Sequence, residues 1–316
     1  MAAPKRPRWG SLQFYPRKRS EKAIPSVNWS TMQFDGKTEG LLGYIAYKVG
    51  MASALVKDST DKSMTQNKKI YVPVTILEAP AMKILSVRFY KNGIVVKDVV
   101  VSNDKELKKV VRVSKEIKSL DSQIPKEFED IRVICYSIVK QTSVKKTPDL
   151  IELAIAAKDK LAFVKNLVGK EITLKDFIKT ELVDSRALTK GKGLVGPVKR
   201  FGLSLKSHKS EKGQRRPGSL GPWHPARVIF RVPLAGQMGM FTRVQYNNKI
   251  VTTGNIAEKN INKSTGFHSY GKINSSYVII KGSIQGPAKR QVLLTPSFRP
   301  TKEMAKKKYE FLEVLK

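Results

Sequence analysis

The stretch KILSVRFYKNGIVVKDVVV, residues 83–101, decides the fold class. Its first half, residues 83–90, alternates apolar and polar residues, which is typical of a strand with one buried face. Asn92 and Gly93 follow, and the branched run 94–101 comes directly after them. An Asn-Gly pair between two such runs is the strongest short-range signal for a β-hairpin. The stretch therefore predicts two strands joined by a tight turn.

Further strands are predicted on both sides of this hairpin, wherever an apolar run or an alternating pattern recurs. They cover residues 41–49, 70–77, 131–139, 150–156, 228–232 and 277–284.

Two helices are predicted in the central part of the chain. The first begins at Asn103, which can cap a helix together with Glu106; its apolar face would consist of Leu107, Val110, Val111, Ile117 and Leu120. The second begins near Asp159 and stops at Gly169. Because the helices are confined to the centre, with strands before and after, the pattern predicts a mainly β chain, a β-barrel or sandwich, with an inserted α/β subdomain.

The chain is strongly basic, with 60 Lys and Arg against 26 Asp and Glu among 316 residues, a formal charge of +34. Such an excess favours a polyanionic partner, and nucleic acid is the natural candidate. An anionic membrane is the competing polyanion. We expect no membrane association, because the sequence has no apolar run of about 18 residues and no basic helix with a clean apolar face.

The charge is unevenly distributed along the chain. Residues 103–187 carry 18 basic and 14 acidic residues, an ordinary balance, whereas residues 190–231 carry 11 basic residues and one acid, Glu211. The latter range, called the basic segment below, has seven glycines and little apolar periodicity. It cannot build its own core, so we expect it to be ordered by what it binds. The first 22 residues are a second basic stretch, and residues 299–308 a weaker third.

Metal centres and catalytic sites find little support in the sequence. Cys135 is the only cysteine, and the only histidines are His208, His224 and His268, which excludes disulfide frameworks and zinc knuckles. Cys135 lies in an apolar run and is predicted to be buried. We expect no cofactor, no metal and no enzymatic activity, since no nucleophile is paired with a base. The missing apolar signal core predicts a cytoplasmic protein.

Three motifs indicate how a nucleic acid would be held. The run TKGKGLVGPVKRFG, residues 189–202, offers glycines and lysines to phosphates, but it lacks the spacing of a nucleotide-binding loop, so no small-molecule substrate is expected. In GSLGPWHPARV, residues 218–228, Trp223 and His224 lie between two prolines as stacking surfaces; the alternative makes Trp223 an anchor facing the core. In residues 235–249, Gln237 and Arg243 could grip a phosphate backbone, or the glycines there could serve a β-bulge.

These motifs and the two basic stretches give one predicted set of RNA-binding residues. The set is Arg8, Trp9, Arg17, Lys18, Arg19, Lys190, Lys192, Lys199, Arg200, Lys206, Lys209, Lys212, Arg215, Arg216, Trp223, His224, Arg227, Gln237 and Arg243.

The chain resembles the universal large-subunit ribosomal protein L3 family in its archaeal and eukaryotic form. The resemblance rests on RWGSLQFYPRKRS (8–20), LLGYIAYKVGM (41–51), TKGKG (189–193), GPWHPARV (221–228), AGQMG (235–239) and GFHSYG (266–271). One position departs from the family pattern. The family has a histidine twelve residues before the tryptophan that matches Trp223, and Glu211 occupies that position here.

The resemblance implies a six-stranded β-barrel like that of translation factors, an inserted α/β subdomain and a long finger. It also implies a structural role among large-subunit ribosomal RNA and neighbouring ribosomal proteins, with the finger running toward the peptidyl-transferase centre. The predicted parts are an N-terminal arm (1–39), a first barrel part (40–101), the insertion (102–180), a second barrel part (181–298) that contains the basic segment, and a C-terminal tail (299–316). An architectural nucleic-acid-binding protein outside the ribosome is the alternative.

Overall fold

The computed structural model describes residues 11–31, 39–114, 116, 117, 119–177 and 180–315. The chain divides into two compact units. The first consists of Leu188–Thr242 with the N-terminal segment up to Glu21, which is described from residue 11, and the second consists of Lys22–Ala187 and Arg243–Lys316.

The described chain is mainly β, as predicted, with short helices between the strands. The strands are β1 Gly40–Leu41, β2 Tyr44–Asp58, β3 Lys69–Ala79, β4 Met82–Lys91, β5 Ile94–Val100, β6 Asp130–Ser137, β7 Leu150–Ala156, β8 Leu182–Leu188, β9 Leu194–Val195, β10 Gly236–Gln237, β11 Thr242–Asn255, β12 Ser276–Lys281, β13 Gln291–Pro296 and β14 Tyr309–Val314. The helices are α1 Lys160–Leu167, α2 Leu174–Phe177, α3 Pro197–Phe201 and α4 Lys302–Lys306.

The larger sheet has the strand order β13-β8-β11-β12-β3-β2-β14, and β13 also pairs with β2. Six strands therefore form a ladder that returns to its starting strand, while β14 extends the pairing along the outer half of β2. Apolar residues of β2, β3, β12 and β13 are fully buried in this sheet, among them Ile45, Ile76, Val278 and Leu293. Their burial supplies the hydrophobic stabilisation of the second unit.

The smaller sheet has the order β1-β7-β6-β4-β5. It contains the predicted hairpin, in which Asn92 and Gly93 have φ angles of 50° and 74°. Positive φ at both central residues is the requirement of a type I′ turn, which the Asn-Gly pair meets at little steric cost. The second predicted helix is also confirmed, as α1. Asp159 caps it by accepting hydrogen bonds from the amides of Leu161 and Ala162.

The first predicted helix is wrong. After Asn103 there is only a single 3-10 turn, Leu107–Lys109, and residues 111–114 are irregular. Leu107 is fully buried against Leu85 and Tyr136, so its packing is satisfied by one turn. The β-branched residues that follow lower the helix propensity of the remainder.

The predicted strand at 228–232 is also wrong. Residues 230–232 form a turn and bend, in which the Val232 amide donates to the Ile229 carbonyl. Pro225 and Pro233 flank this range and interrupt regular backbone on both sides.

A buried carboxylate explains the GFHSYG motif near residue 270. Glu78 in β3 is fully buried and accepts hydrogen bonds from the backbone amides of Asn274 at 2.8 Å and Ser275 at 3.0 Å. The hydroxyl of Tyr270 donates to the same carboxylate. Burial and this neighbouring charge raise the pKa of Tyr270 far above its ordinary value, so the motif fixes the loop that leads into β12.

A further expectation concerns the single cysteine of the sequence. Cys135 is fully buried, as predicted, and burial raises the pKa of its thiol. No helix in the described part of the chain combines the length and the apolar character needed to cross a membrane.

Candidate nucleic-acid interface

Within the first unit, the start of the basic segment pairs with the chain that follows its end. β9 pairs antiparallel with β10, so that Val195 faces Gly236 and Leu194 faces Gln237. Next to this pair, before β9 and after β10, the Lys192 amide donates to the Met238 carbonyl at 3.0 Å, and the Met238 amide donates to the Gly193 carbonyl at 2.9 Å. We call residues 189–195 and 236–241 together the segment base.

A short helix, α3, follows the outgoing half of the segment base. Pro197 occupies its first turn, where a missing amide proton is tolerated, and Gly202 ends it with a left-handed φ of 69°. Arg200 in its last turn donates from Nε to the Gln237 carbonyl and from Nη1 to the Leu234 carbonyl, both at 3.1 Å. Arg200 therefore ties the outgoing chain to the returning chain.

Residues 11–21 of the N-terminal arm belong to the same unit and pack in it through aromatic and cationic side chains. The Arg17 guanidinium lies 5.0 Å from the ring centre of Tyr15 and 5.4 Å from that of Phe201. Tyr15 in turn meets Phe230 edge-on at 5.6 Å. Cation–π contacts of this kind stabilise by about 0.5–1 kcal/mol each at exposed sites, so Arg17 and its aromatic neighbours fasten the arm to the basic segment.

Beyond α3 the basic segment has almost no core. Between residues 203 and 235 every residue is described, and Leu203 is the only buried one. Trp223 is 88% exposed and Phe230 is 64% exposed. The exposure of Trp223 is inconsistent with its alternative role as an anchor in a protein core.

Most cations of the basic segment are exposed to solvent. Eight of these cations are exposed, and their side chains form no ion pair or hydrogen bond with another described residue. They are Lys190, Lys192, Lys199, Lys209, Lys212, Arg215, Arg216 and Arg227. Lys206 is half-buried and its side chain likewise has no described partner. Such a surface repels itself until a polyanion supplies the opposite charge.

Several predicted site residues have other surroundings. Lys18 forms an ion pair with Glu21 at 2.7 Å, which raises its pKa. The side-chain amide of Gln237 donates to the carbonyls of Met238 and Gly239, so it stabilises its own turn.

The remaining members of the predicted set are placed as follows. Arg19 and His224 are exposed in the first unit, and Arg243 is exposed at the start of β11 in the second. Arg8 and Trp9 lie outside the described residues.

Sequence analysis missed the aromatic contacts that hold the arm. Tyr15, Phe201 and Phe230 are far apart in sequence and show no shared periodicity. The position of Phe201 directly after Arg200, near a helix end, is the only local signal. Among the described residues no group of three or more His, Cys, Asp or Glu side chains is arranged to hold a metal ion.

The family model for ribosomal protein L3 matches residues 1–97 and 85–314. The large ribosomal subunit protein uL3 of Methanococcus vannielii is 37% identical over 94% of this chain and 93% of its own length. The uL3 proteins of Methanocaldococcus jannaschii and Methanosphaera stadtmanae are 37% and 39% identical, covering 95% and 93% of this chain and 94% and 92% of their own lengths.

These matches span nearly the whole chain and include both the sheets and the basic segment. The chain therefore belongs to the ribosomal protein L3 family of the large ribosomal subunit.

Proposed function

We propose that this chain is a structural component of the large ribosomal subunit that binds its ribosomal RNA, helps the subunit to assemble, and is not an enzyme. The observation that carries the proposal is the row of exposed, unpaired cations along a segment with almost no core. The names of its relatives support the ribosomal location, which makes the chain cytoplasmic and places other ribosomal proteins beside it.

The proposed mechanism is neutralisation of closely packed phosphates. Phosphate contacts fix position and orientation on an RNA and release its condensed counterions. Exposed lysines and arginines of the basic segment, together with Arg17 and Arg19 in the arm, would let RNA helices approach each other. Arg17 combines this role with its stacking on Tyr15 and Phe201.

The second unit supplies the folded body from which the basic segment leaves. The ladder of six strands that returns to its start supports a translation-factor-like β-barrel, and the smaller sheet with α1 supports the inserted α/β subdomain. The basic segment leaves this body after β8 and rejoins it at β11, which supports a finger between two barrel strands.

The end of the finger would reach toward the peptidyl-transferase centre. Trp223 and His224 are both exposed there, so an indole and an imidazole are available to stack on unpaired bases. In that position they would influence the aminoacyl-tRNA side of the centre without taking part in chemistry. Arg215, Arg216 and Arg227 supply phosphate contacts on either side of them in sequence.

The test is the salt dependence of binding between the full chain and deproteinised large-subunit ribosomal RNA. With about ten phosphates contacted, the slope of log affinity against log salt is on the order of −7 to −9. Changing Lys209, Lys212, Arg215 and Arg216 to Gln is expected to make the slope shallower by roughly 3 to 4. A slope near zero for the unaltered chain would refute the proposal.

A matched control removes four lysines that already have acidic partners. Lys91, Lys140, Lys160 and Lys165 are paired with Glu127, Glu106, Asp130 and Asp121. Their replacement by Gln removes the same charge but is expected to leave the slope unchanged. Equal binding of duplex DNA in competition would favour the architectural alternative, as would failure of the tagged chain to sediment with large subunits.

A further inference from the structure

A second lysine-rich surface lies in the second unit, and none of its members belongs to the predicted RNA-binding set. It is formed by the loop between β2 and β3 and by the chain around α4. We call it the lysine surface, and its members are Lys57, Lys62, Lys68, Lys69, Lys302, Lys306, Lys307 and Lys308.

Backbone contacts bring these two distant parts of the sequence together. The Ser59 amide donates to the Lys308 carbonyl at 3.0 Å, and the Lys308 amide donates to the Thr60 hydroxyl at 3.0 Å. The pairing then continues along β14, where Tyr309 faces Asp58 in β2. The end of the C-terminal lysine run at Lys308 is therefore fixed beside the loop.

Most lysines of the lysine surface lack an ion-pair partner among the described residues. Lys57 is 3.9 Å from Glu310 and Lys307 is 3.1 Å from Glu303. The other six lysines have no ion pair or side-chain hydrogen bond to any described residue. Lys57 and Lys69 also face each other across β2 and β3, and like charges directly opposite on neighbouring strands are destabilising.

The loop that presents these lysines is built to hold one shape. Asp58 is buried, and its carboxylate accepts from the Thr60 amide at 2.9 Å, the Ser63 hydroxyl at 2.8 Å and the Thr65 hydroxyl at 2.5 Å. Lys62 and Asn67 adopt left-handed φ angles of 58° and 61°. Left-handed backbone at a lysine is sterically unfavourable, so the hydrogen bonds to Asp58 compensate for this conformation of the loop.

The composition of this surface favours RNA over protein as its partner. Protein interfaces are depleted in lysine, whereas interfaces with nucleic acid are strongly positive. The lysine surface has two large exposed side chains with apolar character, Met64 at 97% and Tyr71 at 68%. Two such side chains among eight lysines are too few for the apolar centre of a protein interface.

From this charge, preorganisation and composition we infer that the lysine surface is a second RNA-binding site that holds the phosphate backbone of folded RNA. Its lysines neutralise phosphates, and the loop around Asp58 fixes the spacing of Lys62 and Lys68 before RNA arrives. This inference rests on the proposed RNA-binding function, but it involves a different unit of the chain.

The test replaces Lys62, Lys68, Lys306 and Lys308 by Gln in the full chain and measures the salt dependence of binding to deproteinised large-subunit ribosomal RNA. All four are exposed, so we expect a wild-type melting curve. Loss of four phosphate contacts makes the log–log slope shallower by roughly 3 to 4. The Gln variant of Lys91, Lys140, Lys160 and Lys165 is the charge-matched control.

The outcomes separate the inference from the proposed function. Changing Lys209, Lys212, Arg215 and Arg216 to Gln tests the proposed function, and the lysine-surface variant tests the inference. If the first variant makes the slope shallower and the second does not, the inference fails while the function holds. If neither variant changes the slope, the inference fails and the proposed role of the basic segment fails with it. A lysine-surface variant that keeps its RNA slope but loses binding to polyglutamate would assign the surface to an acidic protein and overturn the inference.

Discussion

A Cβ atom placed on Gly239 would lie only 2.0 Å from the backbone carbonyl oxygen of Lys190. Gly239 also has a φ of +80°, a conformation that residues with a side chain rarely adopt. The two halves of the segment base approach this closely because position 239 has no side chain. The glycine of the AGQMG motif is thus explained by a close contact between two backbones.

We expect Gly239→Ala to open the segment base. The left-handed conformation alone costs about 1–2 kcal/mol with a side chain, and the contact with Lys190 adds to this. Hydrogen exchange is expected to become faster at the amides of Lys192 and Met238, which bond across the base. The melting temperature of the whole chain should change little, because the base contributes no large core.

Gly196→Ala is the control for that substitution. Gly196 has a φ of −67°, and a Cβ there would meet nothing within 4 Å. Its replacement should leave exchange at the segment base unchanged. Equal protection in the Gly239→Ala and Gly196→Ala variants would contradict the close-contact explanation.

We expect Trp223→Ala to leave stability nearly unchanged, within about 0.5 kcal/mol, as for most exposed positions. Trp223 is 88% exposed, whereas Trp29 is 6% exposed and donates from its indole nitrogen to the Glu152 carbonyl at 3.1 Å. Trp29→Ala should therefore lower the free energy of unfolding by about 3–5 kcal/mol. Denaturant unfolding of the two variants measures both effects.

The functional consequence of Trp223→Ala should appear only in assembled subunits. We expect altered tRNA selection or antibiotic sensitivity in ribosomes that carry the variant, because stacking on RNA is its proposed role. A large loss of stability in the isolated protein would instead return Trp223 to a structural role.

The strand pattern was predictable because it depends on local sequence. Alternation and the Asn92-Gly93 turn specify the β4–β5 hairpin without reference to other parts of the chain. The failed helix after Asn103 shows the limit of such signals, since Leu107 packs against residues far away in sequence. Ladder closure through β13 and β2 depends on pairings between distant strands, which no local pattern records.

The sequence predicted which segment of the chain carries the basic charge, but it did not predict what each basic residue does. Composition identified the basic segment, but Arg200 and Arg215 look alike in sequence. Arg200 donates to two backbone carbonyls, while Arg215 is exposed and has no described partner. Which arginine stabilises the protein and which is available to RNA depends on where the returning chain lies.

We expect Arg200→Gln and Arg215→Gln to have opposite effects. Arg200→Gln removes the hydrogen bonds to the Gln237 and Leu234 carbonyls. Hydrogen exchange of the amides in the segment base therefore becomes faster, while the salt slope for RNA binding stays the same. Arg215→Gln leaves exchange unchanged and makes the slope shallower by about 0.7–0.9, the share of one phosphate. A slope change of that size in Arg200→Gln would show that Arg200 contacts RNA after all.

The pH dependence of stability should reveal the role of Asp58. Burial alone would raise the pKa of this carboxyl, but hydrogen bonds from Thr60, Thr65 and Ser63 outweigh it and hold the pKa well below its ordinary value of 3.8. A lowered pKa means that the folded state favours the ionised form. The resulting stabilisation is complete above the unfolded-state pKa and is lost as the pH falls through the folded-state value.

We therefore expect Asp58→Asn to be less stable than the wild type at pH 7, and the difference to shrink as the pH falls below about 4. Urea unfolding of both proteins at pH 7, 5, 4 and 3 measures this difference directly. Asp61→Asn, which removes an exposed carboxylate from the same loop, is the control for the loss of one negative charge. A difference for Asp58→Asn that stays constant down to pH 3 would mean that its hydrogen bonds do not depend on ionisation. Folding would then not lower the pKa of this carboxyl, and the loop around Lys62 would owe its shape to contacts of Asp58 that do not need a negative charge.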